Sequence, residues 1–531
     1  MKFILRQISL PPYAPRQSAL DLAEKTVKNC GGTVNSSYIC RISVDSRKKN
    51  DIRLVYSVIV DCNIKDKGKL IRQGAEPYAE KELQITYGDE PSRGIAVIGF
   101  GPCGIFAALT LAENGYDVTV FERGKNTGER CKDVAELKKN GILDPDSNVQ
   151  FGAGGAGTFS DGKLLTRIND PACALVLKRL VQFGAPEEIL LSARPHIGTD
   201  LLTGVICGAE KYLLSLGAKI RFGCKVKNVK EGAEGVVLST DGGDFCFSAA
   251  VLATGHSARD TYEMLYKNGV TMVKKPFSVG CRIEHPQHMI DLSMYGKDYE
   301  KYSEYLPHAE YNLSYRSGDR GVYSFCMCPG GSVICASTEP DGVVTNGMSC
   351  HNRDGKNANS AIAVSVLPQD TDGDVLSGID FQRRIERAAY AVTGSFLAPS
   401  QTVGSFLHEQ KNTFTDVLPT YEPGVVLCDL HSVLPGFVTE MLQTGLSAFD
   451  RKIRGFSFAG AVLTAPETRT SAPLRIQRDG SFLSIGSKRL YPCGEGAGYA
   501  GGITSAAADG INTAVKIINR FKPDKDRIYI R

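Results

Sequence analysis

The run Ile95-Ala96-Val97-Ile98 leads directly into Gly99-Phe100-Gly101-Pro102-Cys103-Gly104. The helical stretch Ile105 to Asn114 and a second β-run, Asp117 to Phe121, follow and end at Glu122. Each glycine of this GxGxxG answers a separate steric demand. Gly99 permits the tight strand-to-helix turn, Gly101 lets a pyrophosphate approach the backbone, and Gly104 lets helix and strand pack closely. The helix that opens here turns free N–H donors and a partial positive charge toward phosphate oxygens. Glu122 stands 23 residues after Gly99, where an acidic side chain can accept hydrogen bonds from both ribose hydroxyls of an adenosine. A lone GxGxxG is weak evidence. The whole series of strand, glycines, helix, strand and acid predicts a dinucleotide site in a parallel sheet covered by helices.

The chain has 531 residues, room for about three structural units at roughly 100 to 200 residues each. A charged content of 23% beside 42% apolar residues excludes a solvated, disordered chain. The net charge of +4 lies wholly in residues 1–90, which hold 15 Lys and Arg against 11 Asp and Glu; the remainder balances at 47 against 47. No large unit is therefore basic enough to attract nucleic acid by electrostatics alone. The 16 cysteines make about 3% of residues, well below the roughly 8% of a disulfide scaffold. Met1-Lys2-Phe3-Ile4-Leu5-Arg6 offers no signal-peptide core, so the expectation is reduced thiols in a cytoplasmic protein. Gly94 to Ala112 runs 19 residues without a charge, but its glycines and Pro102 would interrupt a spanning helix, and no membrane segment is expected. No His/Cys spacing fits a metal site.

Phe3 to Ile8 reads as a strand, Ser18 to Asn29 as a helix, and Tyr38 to Val44 and Arg53 to Asp61 as two β-runs, making residues 1–90 a small α+β domain. The hairpin tip between the last two carries Arg47, Lys48 and Lys49. Residues 94–274 read as the first part of a Rossmann-like domain, and 275–455 as an inserted α+β substrate or cap domain with a helix near Phe381 to Thr393. The first domain returns over 456–531. The expected class is thus α/β, with a discontinuous dinucleotide-binding domain. A second GxGxxG, Gly152 to Gly157, follows Asp144-Pro145-Asp146 rather than a buried strand; it reads as a loop whose backbone lies flat against a ligand.

Distant segments favour FAD over NAD. Ala253-Thr254-Gly255 ends the apolar run from Ala249, and Tyr491 to Gly498 leads through Gly501-Gly502-Ile503 into a small-residue helix over Ala506 to Asn519. Glu495 suits a ribitol hydroxyl, and the helix can aim its positive end at the edge of a reduced flavin. The residues expected at FAD are Gly99, Gly101, Pro102, Cys103, Gly104, Glu122, Arg123 and Arg130, then Gly155, Gly157 and Thr158. Val226, Ala253, Thr254 and Gly255 join them, with Gly494, Glu495, Gly502 and Ile503.

QFGAGGAGTFSDGKL (150–164), RPHIGTD (194–200), FCMCPGG (325–331), APETRTSAPLR (465–475) and the segment 491–510 resemble the bacterial FAD-dependent dehydrogenases often called NAD(FAD)-utilising dehydrogenases. SVDSRKKNDIRLVYSVIV (43–60) resembles their N-terminal domain, so the likeness spans nearly the whole chain. It implies a glutathione-reductase-like FAD fold and no particular substrate. The chain departs from the family pattern at Cys103, where Ala is usual, and at Ala153, where Glu is expected.

For chemistry, Cys103 and Cys131 are far apart and Cys326-x-Cys328 would bridge only under strain, which disfavours a thiol–disulfide enzyme. Candidate substrate or catalytic contacts are Asp161 and Lys163, then Arg282, Glu284 and His285, then Arg469 and Arg475, with His256 as a candidate acid. The reading is an FAD-dependent oxidoreductase exchanging hydride between flavin N5 and a small organic substrate. NAD(P)H is a candidate transient donor, because no second strand-plus-GxGxxG unit exists to hold it. An RNA-modifying flavoenzyme using the basic N-terminal domain, and a flavin-loaded sensor with little turnover, stand as alternatives.

Overall fold

The computed structural model describes residues 1–80, 83–408 and 410–524. The parallel sheet demanded by the glycine unit holds five strands in the order Leu490–Pro492, Ala249–Leu252, Ile95–Ile98, Val118–Phe121, Lys219–Arg221. All pairings within it are parallel. Every residue of Ile95–Ile98, Val118–Phe121 and Ala249–Leu252 is buried, as a parallel sheet covered on both faces requires. One covering layer pairs the helix Pro102–Glu113 with the C-terminal helix Ile503–Ile518. A Cβ at Gly510 would lie 2.2 Å from the Cys103 carbonyl oxygen, so the two backbones nearly touch. A small antiparallel sheet, Val226–Glu231, Val236–Thr240 and Gly243–Phe247, packs beside the parallel one.

The N-terminal unit is a four-stranded antiparallel sheet in the order Thr33–Asp45, Arg53–Asn63, Lys2–Leu10, Ala75–Pro77. Its helix Gln17–Asn29 buries Ala19, Ala23 and Val27, three residues at a spacing of four, on that sheet. Backbone bonds tie the unit to the rest: Ile42 N donates to Leu191 O at 2.7 Å and Ala193 N to Ile42 O at 2.8 Å.

The inserted unit is a seven-stranded, largely antiparallel sheet in the order Ser314–Ser317, Arg320–Cys328, Asn357–Val366, Phe277–Pro286, Val462–Glu467, Ala398–Thr402, Val425–Leu427. Helices Ser377–Thr393 and Gly436–Asp450 pack on it. The unit runs past the boundary expected at 455, because Val462–Glu467 pairs with Phe277–Pro286 and Ala398–Thr402. An apolar strand carries no mark of which of two sheets it joins. The return to the first domain comes later, with Leu474–Ile476 pairing to Met272–Lys274. Among the described residues no helix is long and apolar enough to cross a membrane.

Candidate functional site

The glycine turn meets its steric requirements. Gly99 has φ +105°, and a Cβ there would stand 2.4 Å from the Ala253 carbonyl oxygen; one on Gly104 would stand 1.9 Å from the Gly99 oxygen. The helix begins at Gly101 with no side chain capping it, so its N-terminal field is open to an anion. Glu122 is buried at the end of the neighbouring strand. Its carboxylate accepts from Phe100 N at 2.8 Å, Gly124 N at 2.9 Å and Gly152 N at 3.0 Å. One side chain thus joins the first glycine turn to the second glycine loop and keeps lone-pair capacity for a further donor.

That second loop, the decoy GxGxxG, folds into the short 3-10 turn Gly155–Phe159 and lies against the first turn. Gly154 N donates to Phe100 O at 2.8 Å, and a Cβ on Gly155 would come within 2.9 Å of the Gly101 Cα. Arg130 shapes the loop from inside. Its guanidinium donates to the carbonyl oxygens of Asn148 at 2.9 Å, Val149 at 2.9 Å, Ala153 at 2.6 Å and Gly155 at 2.9 Å, and more weakly to Gly152 O and Thr158 Oγ1 at 3.3 Å. Burial draws its pKa down to about 10, against the pull of Glu122. The sequence reading made Arg130 a direct cofactor contact. The structure corrects this: its donors are spent on loop carbonyls, so it positions the loop. Arg123 likewise pairs with Asp260 at 2.8 Å and covers the Phe151 ring at 4.4 Å. Val226, buried at the start of its strand, pairs with Thr240.

The C-terminal segment closes the site. Gly494 N donates to Asp509 at 2.7 Å, an acid held in turn by Arg478. Cys493 Sγ lies 2.9 Å from Cys103 Sγ, both buried and reduced; Cys103 therefore meets a cysteine 390 residues away rather than Cys131. Gly502, at φ +87°, starts the helix whose Ile503 side chain packs on Gly157. Glu495 accepts from Gly502 N at 3.4 Å and stands 3.8 Å from His256, which follows Ala253-Thr254-Gly255. Burial holds the His256 imidazole below its usual pKa against the attraction of Glu495. Sequence reasoning assigned no role to Asp509 and Cys493, although both lie in the segment 491–510 that carries the family resemblance.

Residues 276–470 match the model of the FAD-dependent protein, C-terminal domain-like family, and residues 97–167 match the NAD(P)-binding Rossmann-like domain. A protein of Clostridium beijerinckii described as uncharacterised is 46% identical over 496 residues, covering 91% of this chain and 92% of its own length. The chain belongs to this family of FAD-dependent proteins. Among solved structures, CtdE in complex with FAD is 13% identical over 82% of both chains with a TM-score of 0.31. The glycine oxidase of Geobacillus kaustophilus is 11% identical, over 81% of this chain and 93% of its own, with a TM-score of 0.34.

The cofactor of this FAD-dependent protein is FAD, and its residues fit one. The uncapped helix end at Gly101 faces a glycine backbone across the loop, and the buried Glu122 and half-buried Glu495 stand at strand ends. When bound, the group would meet phosphate-binding N–H donors at the first and carboxylate acceptors at the others.

The other candidates separate by burial. Lys163 remains 29% exposed, 3.6 Å from Asp161 and 3.2 Å from Glu310. Asp161 is buried and grasped by Arg353, Nε to Oδ1 at 3.0 Å and an Nη to Oδ2 at 2.6 Å. Burial alone would raise its pKa, but Lys163 and Arg353 hold it at about 2. Arg353, which has φ +53°, and Glu310 were not legible in the sequence. Arg282, Glu284 and His285 are corrected: each is fully buried. Arg282 is locked to Glu467 at 3.1 Å and to Asn359 at 2.7 Å, and Glu284 accepts from Thr420 and Asn357. His285 bonds the Phe456 carbonyl oxygen at 2.7 Å. Arg469 is spent on Glu386 and Thr338. These side chains are engaged within the core, where only His285 Nδ1 and Asn359 Nδ2 of this group lack a partner among the described residues, and they present nothing to a substrate. Arg475 is exposed and donates to Gly498 O. Among the described residues no metal-ligating cluster is present.

Proposed function

We propose that this protein is an FAD-dependent oxidoreductase, a dehydrogenase or reductase of a small organic substrate, with NAD(P)H as a transient electron donor. FAD supplies hydride exchange at its N5 position when bound. The chain's own residues bind and shelter it: Glu122 and the Gly101 helix end receive the adenosine and phosphates, and Arg130 fixes the glycine loop. Lys163, held between two carboxylates yet partly exposed, is a candidate substrate contact beside the glycine loop. The observation that supports this reading most is the meeting of three glycine segments from remote parts of the chain: Glu122 ties the first turn to the second loop, and the third packs on both through Gly494 against Cys103 and Ile503 against Gly157.

A nucleic-acid substrate has less support. At the basic hairpin tip Arg47 pairs with Asp45 at 2.6 Å, and Lys49 donates to the Ser293 carbonyl oxygen at 2.7 Å, so two of the three cations are engaged within the protein.

The test is anaerobic stopped-flow spectroscopy of the purified protein with NADH and with NADPH, following the flavin absorbance. Bleaching by a nicotinamide, followed by recovery with an organic acceptor, is the expected result. Protein that purifies colourless and takes up no FAD on reconstitution refutes the proposal.

A further inference from the structure

Where the three units meet, the structure forms a half-open cavity of about 540 Å³. This is within the range of small-molecule sites, about 300 to 1,000 Å³. One wall is the N-terminal sheet, one is the segment 188–196, and one is the stretch 294–310 of the inserted unit. The N-terminal unit is fastened at this point by the bonds between Ile42 and residues 191 and 193 and by Lys49 on Ser293, so the cavity is a built feature of the fold. Its body is apolar, formed in part by Ile42, Val44, Leu54, Leu191 and Met294.

The charges around that apolar body are unbalanced. Arg16, Arg41, Arg194 and Arg353 line it, against Glu188 and Glu310. Glu310 is already held by Arg353 at 2.7 Å and Lys163 at 3.2 Å, so it does little for the others. Arg194 reaches Glu310 only at 3.9 Å. Among the described residues, Arg16 and Arg41 have no carboxylate within salt-bridge distance, and both are exposed at the wall. Guanidinium groups around a nonpolar chamber suit a ligand with an acidic head and an apolar body, because a carboxylate takes two parallel N–H bonds from one guanidinium.

The chamber also adjoins the flavin loop. His196 and Arg353 line it; His196 bridges to Lys163, and Arg353 grips Asp161. Asp161 and Lys163 follow immediately on the turn Gly155–Phe159 that packs against the first glycine turn.

We propose that this cavity binds an amphipathic organic acid, its carboxylate on Arg16, Arg41 and Arg194 and its apolar body in the chamber. Calling that ligand the substrate rests on the flavoenzyme reading above; the binding itself does not. The N-terminal unit is thereby a wall of the ligand chamber and supplies two of its three anion-binding arginines.

The experiment is equilibrium dialysis of the flavin-loaded protein with decanoate and, as the neutral control of equal length, decanamide. Decanoate binds saturably, and the double variant Arg16→Gln/Arg41→Gln weakens it at least tenfold while leaving decanamide unchanged. Both positions are exposed, so the variant folds, and its flavin absorbance per protein stays at the wild-type level. Absence of saturable decanoate binding, or equal binding by wild type and variant, overturns the proposal. The same samples separate the two readings. Protein that takes up no FAD on reconstitution yet binds decanoate through the arginines removes the oxidoreductase and keeps the site. Flavin-loaded protein that ignores decanoate does the reverse.

Discussion

Glu122→Gln is the most informative single change, because it tests whether this carboxylate assembles the site or merely touches its ligand. Two donors, Gly124 N at 2.9 Å and Gly152 N at 3.0 Å, converge on Oε1, and Phe100 N reaches Oε2 at 2.8 Å. A glutamine keeps its carbonyl oxygen toward the pair and turns its NH2 toward Phe100. One buried N–H then has no acceptor, at about 1–3 kcal/mol, and two charge-assisted bonds become neutral ones, at about 1 kcal/mol each. The expected loss is about 3–5 kcal/mol, a large part of the roughly 5–15 kcal/mol that holds a domain together. At about 2–4 °C per kcal/mol for a domain of 150–250 residues, the melt of the flavin domain falls by roughly 6–20 °C. The assay heats the holoprotein while flavin fluorescence reports cofactor release and circular dichroism reports unfolding. Both transitions move down together, and the fraction purified with FAD drops. A variant with the wild-type unfolding midpoint that loses only FAD affinity would show that Glu122 is a ribose contact alone.

Cys103→Ala is expected to keep full FAD occupancy and to cost about 1 kcal/mol in denaturant unfolding, because Cys493 retains Thr513 Oγ1 at 3.0 Å. Loss of flavin would assign the thiol pair a role in binding. His285, buried and pushed down to about 4 by desolvation, stays neutral in the fold while the unfolded chain protonates it near 6.5. Stability therefore falls as pH drops from about 6.5 to 4, by about 3 kcal/mol at 1.36 kcal/mol per unit. The difference in unfolding free energy between wild type and His285→Gln, measured across that window, should carry this slope. Asp161, held at about 2 by Lys163 and Arg353 despite burial, contributes stability that is complete above about pH 4 and lost toward pH 2. Asp161→Asn should cost about 2–3 kcal/mol at pH 7, the worth of that pKa shift, because Arg353 and Lys163 keep Glu310 as a partner; the deficit to wild type shrinks below pH 4 in acid-unfolding curves.

Some of the site was readable because its constraint is local. The positive φ of Gly99 and the contact of Gly104 with the Gly99 oxygen are set within a few residues, so the spacing alone reports them, whereas the Ala253 carbonyl that crowds Gly99 comes from far along the chain. Glu122 was legible as an acid at a strand end, though not as the tie between two loops. Arg130 stood among the residues expected at FAD, and only the carbonyls around it show that its donors are spent. Arg282 and His285 sit in a strand, Phe277–Pro286, buried along nearly its whole length. The chemistry of their side chains suggested a site, and their neighbours make them core. Glu310 and Arg353 had no local signature at all, and Cys493 and Asp509 lay in the motif 491–510 with nothing to mark their partners.

The sequence by itself determined a parallel βαβ unit, its dinucleotide ligand and the three glycine-rich segments. These follow from backbone dihedrals and backbone polarity within a few residues of each glycine. The tertiary structure alone decided that those segments meet, that Cys103 faces Cys493, that the strand Val462–Glu467 belongs to the inserted sheet, and that the N-terminal unit walls a cavity lined by arginines. The physical reason is that desolvation and charge pairing depend on what packs against a side chain, and those partners come from hundreds of residues away.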